Sequence, residues 1–195
     1  MEPRSAYEQA ADRAVTWLAA RLEDDGSYGD DIGDLACYYK SPYLFQLSGR
    51  AREAARIMGF IDRRFRQQDG DFVTSADQKS DNAAFNEYWA YCQATGDAAH
   101  LETARGYLDV ALGCRGNLRS FYFSHKVAWG AALLAGITSD RRCIELARDI
   151  ADHLLGIQDP SGAWLVDQPS HTMFDQTAEI AIWLKEISAE LDRCP

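Results

Sequence analysis

Gly26, Gly70, Gly116 and Gly162 stand 44, 46 and 46 residues apart, and each follows a stretch with the same apolar spacing. In the first stretch Trp17 and Leu18 are followed by Leu22, Gly26 and Tyr28. Tyr107, Leu108, Leu112, Gly116 and Leu118 repeat it, as do His153, Leu154, Gln158, Gly162 and Trp164. Phe60, Ile61, Phe65, Gly70 and Phe72 give a further copy with one residue inserted. A period of about 45 residues marks a repeat architecture, in which one unit cannot bury its apolar face alone and must stack on neighbours.

Each unit reads as a helical hairpin. The first arms place apolar residues at helical spacing, such as Tyr7, Ala10, Ala14, Trp17 and Leu18, or Ile144, Ala147, Ile150, Ala151 and Leu154. The repeated glycines follow these arms, where a left-handed C-cap favours glycine. The second arms, DLACYYKSPYLFQLSG, NAAFNEYWAYCQATG, SHKVAWGAALLAG and DQTAEIAIWLKEIS, carry less charge and read as the inner layer. Strand-like alternation is nearly absent. The expectation is an all-α chain, one domain over residues 1–195, built of about four hairpins. At this length a single core buries roughly 70% of the unfolded surface, so no stapling is needed.

The turn pattern resembles the QW motif of squalene and oxidosqualene cyclases: a basic residue, a small residue, an aromatic, an aliphatic, Gln, a turn Gly and Trp. Arg13, Ala14, Trp17, Leu18, Gly26 and Tyr28 follow it with Leu22 at the glutamine position; Leu154, Gln158, Gly162 and Trp164 follow it with His153 at the aromatic position. The resemblance implies the α/α toroid shared by terpenoid cyclases and protein prenyltransferase β subunits. Four hairpins are fewer than typical toroids hold, so the ring is small, incomplete, or closed by a second copy in a homo-oligomer. Fold alone does not carry function.

In such a ring the loops feeding the inner helices collect at one mouth, so polar groups there are the functional candidates. The first inner arm begins with Asp30, Asp31 and Asp34, followed by Tyr38, Tyr39, Lys40 and Tyr43. Crowded carboxylates raise one another's proton affinity, and an acid held in an apolar cavity stays protonated for general-acid work. The competing reading is that these aspartates cap a helix N-terminus. The second inner arm offers Glu87 and Trp89, the third His125, Lys126 and Trp129, and the fourth His171, Asp175, Gln176 and Glu179. From these, Asp30, Asp31, Asp34, His125, His171 and Glu179 are the candidate catalytic groups. Tyr38, Tyr39, Lys40, Tyr43, Glu87, Trp89, Lys126, Trp129 and Asp175 are the candidate substrate-binding groups. The string from Asp30 to Asp34 also matches the D-D-x-x-D of class I terpene synthases, but no basic diphosphate cluster accompanies it. Nothing fixes Asp34, Cys37, His125 and His171 at metal-ligand spacing. Neither a metal nor another cofactor is expected.

Charge narrows the partners. A net charge of -10 opposes phosphate backbones, and no apolar run approaches the roughly 20 residues of a membrane span. Five scattered cysteines and the lack of a leader-like start predict a reduced, cytoplasmic setting. The expected partner is a small-molecule substrate. The leading expectation is a cyclase or isomerase of natural-product metabolism, acting on a terpenoid- or polyketide-like substrate with buried acid and base groups. A carbohydrate-active α/α-barrel enzyme (epimerase, glycosidase or lyase) is the first alternative, and a non-catalytic helical-repeat binding module the second. Continuous aromatic lining would favour the first reading, and charged lining with exposed Trp the carbohydrate reading.

Overall fold

The computed structural model describes residues 5–29, 34–65, 108–109, 111–113, 115–118 and 124–193. Among the described residues there are seven α-helices and no strand: α1 (Ala6–Ala19), α2 (Ser41–Leu47), α3 (Ala51–Arg64), α4 (Arg115–Leu118), α5 (Ser124–Thr138), α6 (Arg141–Gly156) and α7 (Ser170–Arg193). A 3-10 turn, Leu35–Cys37, precedes α2. Local sequence sets these limits. Ser5 accepts from the Glu8 amide at 3.1 Å while Glu8 accepts from the Ser5 amide at 3.2 Å, a reciprocal cap that starts α1. Asp140 caps α6 by accepting from the Arg142 amide at 2.9 Å. The first inner arm is split into the 3-10 turn and a short α2, because Pro42 fits only a first helical turn.

Among the described helices the buried faces differ in extent. α3 and α6 are amphipathic, burying Ala54, Ile57 and Ile61, and Cys143, Leu146, Ala147, Ile150, Ala151 and Leu154. In α7, by contrast, every residue from Gln176 to Ile182 is buried, so this helix has no solvent face there. It packs against α1, α2, α5, α6 and the 3-10 turn, and α5 packs against α6. Ala10, Ala11 and Ala14 let α1 come close to α7. No described helix is long and apolar enough to cross a membrane.

The repeated turns dock in an equivalent way. Gly26 (φ 92°) lies against the backbone oxygen of Arg56 in α3, and Gly162 (φ 99°) lies against that of Arg13 in α1. A methyl at Gly162 would come within 2.7 Å of the Arg13 oxygen, so only glycine fits. Arg13 stands 13 residues before Gly26, and Arg56 stands 14 before Gly70, in the unit with one inserted residue. The two arginines are thus repeat equivalents. The first turn rests on the second unit, and the fourth turn rests on the first. Gln158 ties that last contact, accepting from Arg13 Nε at 3.0 Å and donating to the Ala10 oxygen at 2.9 Å and the Gly162 oxygen at 2.8 Å. One expected cap differs. Gly116 falls inside the short α4, without a positive φ, and α5 runs past Gly136 so that Ser139 (φ 55°) takes the left-handed position. Gly70 and Gly96 lie outside the described residues.

Candidate functional site

Three elements bring charged side chains into the interior. Asp175, Glu179 and Trp183 succeed one another at four-residue steps along α7 and therefore share a face. The start of α2 contributes Lys40, and the first turns of α5 contribute His125, Lys126 and Trp129. Lys40 Nζ lies 2.8 Å from Asp175 Oδ1 and 2.5 Å from Glu179 Oε2. On its other side Glu179 Oε1 meets Lys126 Nζ at 3.1 Å, His125 Nε2 at 3.5 Å and the indole Nε1 of Trp183 at 3.3 Å. Trp183 packs on Trp129 with ring centroids 4.4 Å apart and the planes tilted by 33°. The Tyr39 ring lies 5.0 Å from Lys40 Nζ.

The site has a buried floor and an open rim. His125 is 0% and Glu179 4% exposed, whereas Tyr39 is 52% exposed and Lys126 is largely open. Electrostatics separate the two carboxylates. Burial opposes the charge on Glu179, but the His125 hydrogen bond and the Lys40 charge outweigh it and hold this carboxyl far below the usual range. Burial pushes Asp175 above the usual range, against the opposing pull of Lys40. Burial also opposes the charge on Lys40, yet Asp175 and Glu179 raise its proton affinity beyond that of an ordinary ammonium. The surroundings thus push two carboxyls one helical turn apart in opposite directions.

Of the residues singled out in the sequence, the structure joins Lys40, His125, Lys126, Asp175 and Glu179, with Tyr39 and Trp129 beside them. Asp34 sits elsewhere in role: its side chain accepts from the Ala36 amide at 2.9 Å and caps the 3-10 turn. Tyr38 is 1% exposed and packs among Tyr28, Phe60 and Phe65 in the core. Tyr43 is exposed and donates to Glu186 Oε1 at 2.9 Å, and His171 is exposed in the first turn of α7. Asp30, Asp31, Glu87 and Trp89 lie outside the described residues. Two contacts of Glu179 were not among the candidate site groups: Gln176 and Trp183. Both were legible by helical spacing, three residues before and four after Glu179.

A cleft of about 540 Å³ opens between α1, the α2 C-terminus and α7, but its charges are already matched, with Asp12 on Lys185 at 2.8 Å and Arg50 on Glu53 at 2.7 Å. It contains none of the joined residues. Among the described residues no three His, Cys, Asp or Glu side chains converge as a metal site. Cys37 is buried beside the site, and burial pushes its thiol up to about 12, which removes it as a nucleophile near neutral pH. No family model, no curated protein and no solved structure matches this chain.

Proposed function

We propose that this chain is an acid–base enzyme of the isomerase or lyase kind, acting on a small polar organic substrate inside a ring of four helical hairpins. The observation that carries the reading is the pair of carboxylates on one face of α7, Asp175 and Glu179, that share Lys40 at 2.8 and 2.5 Å and whose surroundings drive their proton affinities apart. Paired titratable groups whose surroundings drive them apart are the usual mark of an acid and a base with separate tasks. In this reading Asp175 delivers and recovers the proton. Glu179, held by Lys40, Lys126 and His125, fixes the local field. Lys126 at the rim and Lys40 beneath it meet negative charge as it develops on the substrate.

The ring is supported by the docking of the fourth turn on α1 through Gly162 and Gln158, the same relation that the first turn has to α3. The charged lining favours a polar, carbohydrate-like substrate over an extended hydrocarbon. The Trp129–Trp183 pair supports the second reading, a cyclase of a natural-product substrate, because aromatic faces shield cationic intermediates. A pure binding module has no use for a buried and a half-buried carboxylate of opposite tendency.

Proton exchange tests this without a known product. Sugars, sugar acids and terpenoid alcohols are incubated with the protein in D₂O, and solvent deuterium entering C–H positions is followed by NMR. A responding substrate should exchange, and Asp175→Asn should slow it by about 10²–10⁴-fold. Full exchange by Asp175→Asn, or no exchange with any compound, sinks the proposal.

A further inference from the structure

Gln176 is 3% exposed. Its amide nitrogen donates to Asp175 Oδ2 at 2.8 Å and lies 3.4 Å from Glu179 Oε2, while its carbonyl oxygen is buried and has no hydrogen-bond partner among the described residues. Turning the amide over would set its oxygen against the ionised Glu179 and take from the nitrogen its contact with that acceptor. The orientation is fixed by chemistry, so the acceptor stays buried at its full desolvation cost. A methionine of similar length would pack there without that cost. This unsatisfied acceptor belongs to an amide that touches both carboxylates of the site.

The acceptor also selects its partner. It requires a donor, and small polar molecules offer ammonium, amide or ring N–H, and hydroxyl. Lys40 and Lys126 already place two ammonium groups on Glu179, so a third cation would be repelled. A neutral hydroxyl carries no such penalty.

We propose that Gln176 determines specificity at this site: its carbonyl oxygen accepts a hydrogen bond from a substrate hydroxyl, which makes the substrate a hydroxylated, sugar- or polyol-like compound. The proposal deepens the acid–base reading of the same site and rests on it for the assignment of that compound as a substrate. A site built to pair a hydroxyl rejects the analogue that lacks it, because the protein acceptor is then left buried and unpaired. A hydrophobic or purely ionic site would bind the two alike.

Trp183 donates to Glu179 and packs on Trp129, so tryptophan emission reports occupancy of the site. Glucose, glucuronate and myo-inositol, with each of their monodeoxy forms, are titrated against the full chain. At least one hydroxylated probe should change the emission, and one of its monodeoxy forms should bind about 10- to 100-fold more weakly. Gln176→Met should bind both at the weaker level, with an unchanged far-UV spectrum. Equal binding of a hydroxylated probe and all its monodeoxy forms overturns the proposal, as does a Gln176→Met chain that still discriminates, or binding by none of the hydroxylated probes. The deoxy series on the unaltered chain decides the matter even where Gln176→Met does not fold. Deuterium exchange on the same probes separates the two ideas. Discrimination without exchange keeps the hydroxyl contact and removes the acid–base function; exchange without discrimination does the reverse.

Discussion

Asp175 and Glu179 are one helical turn apart, yet they pull the pH dependence of stability in opposite directions. The folded proton affinity of Glu179 is depressed, so its contribution is present above its unfolded value, about 4.3, and is lost as pH falls toward the folded value. That of Asp175 is raised, so its contribution is present below about 3.9 and is lost as pH rises through the folded value. Near neutral pH Glu179 stabilises and Asp175 does not. Glu179→Gln leaves Lys40, Lys126 and His125 around a neutral amide, and breaking a buried ion pair from one side costs roughly 3–5 kcal/mol. Urea unfolding at pH 7 should show that loss, and the gap between Glu179→Gln and the unaltered chain should narrow as pH drops below about 4. Asp175→Asn should change the pH 7 midpoint little. A gap for Glu179→Gln that stays constant from pH 7 to 3 contradicts the assignment of Glu179 as the ionised partner.

At the scale of the elements, the repeated turns carry the packing. Trp164 is 0% exposed, donates through its indole to the Leu154 oxygen at 2.9 Å, and its backbone amide donates to Thr177 Oγ1 at 3.0 Å. It therefore joins the end of α6 to the centre of α7. Trp164→Ala should cost roughly 3–5 kcal/mol, read by urea titration. Gly162→Ala meets both a positive φ and the Arg13 oxygen, and should cost at least about 1–3 kcal/mol by the same titration. A loss near zero for either would show that these turns do not hold the hairpins together.

The turns were legible because a positive φ and a tight backbone approach leave glycine as the one residue that fits, and that demand survives at Gly26 and Gly162. It fails at Gly116, where a short helix asks nothing special of the backbone. The helical class, and the near-complete burial of α7 around Glu179, were legible from apolar spacing and from how little charge falls along that arm. The i, i+4 pair of Asp175 and Glu179 could be read within α7. Its link to Lys40 could not, because it spans 135 or more residues and depends on how whole helices pack. Asp34 is the converse case: an aspartate before a helical turn looks the same whether it serves chemistry or a cap, and only the bond to the Ala36 amide decides.

For the molecule as a whole, what matters is that the first and last hairpins touch. Besides Gln158, Lys185 meets Asp12 at 2.8 Å, Tyr7 donates to Asp152 at 2.7 Å, and Ser5 and Ser188 lie 2.7 Å apart. In an open stack of repeats each unit contacts only its neighbours, so removing a terminal unit costs one interface and leaves the rest folded. Here α1 packs on α7, so its removal strips the helix that bears Asp175 and Glu179. The contact is thus part of what aligns the site. Gln158→Ala removes the bonds to Arg13 and Ala10 that join the first and last hairpins, and the one to Gly162 within its own turn, and should lower stability by about 1–3 kcal/mol, with Asp175 exchange chemistry weakened in parallel as α7 loosens. Deleting residues 1–20 should go further, replacing one cooperative thermal transition in the far-UV signal with a broad, non-cooperative melt. A truncated chain that keeps a single sharp transition at nearly the same urea midpoint would mean that the units stack in an open row, and that the contact between α1 and α7 is incidental to the fold.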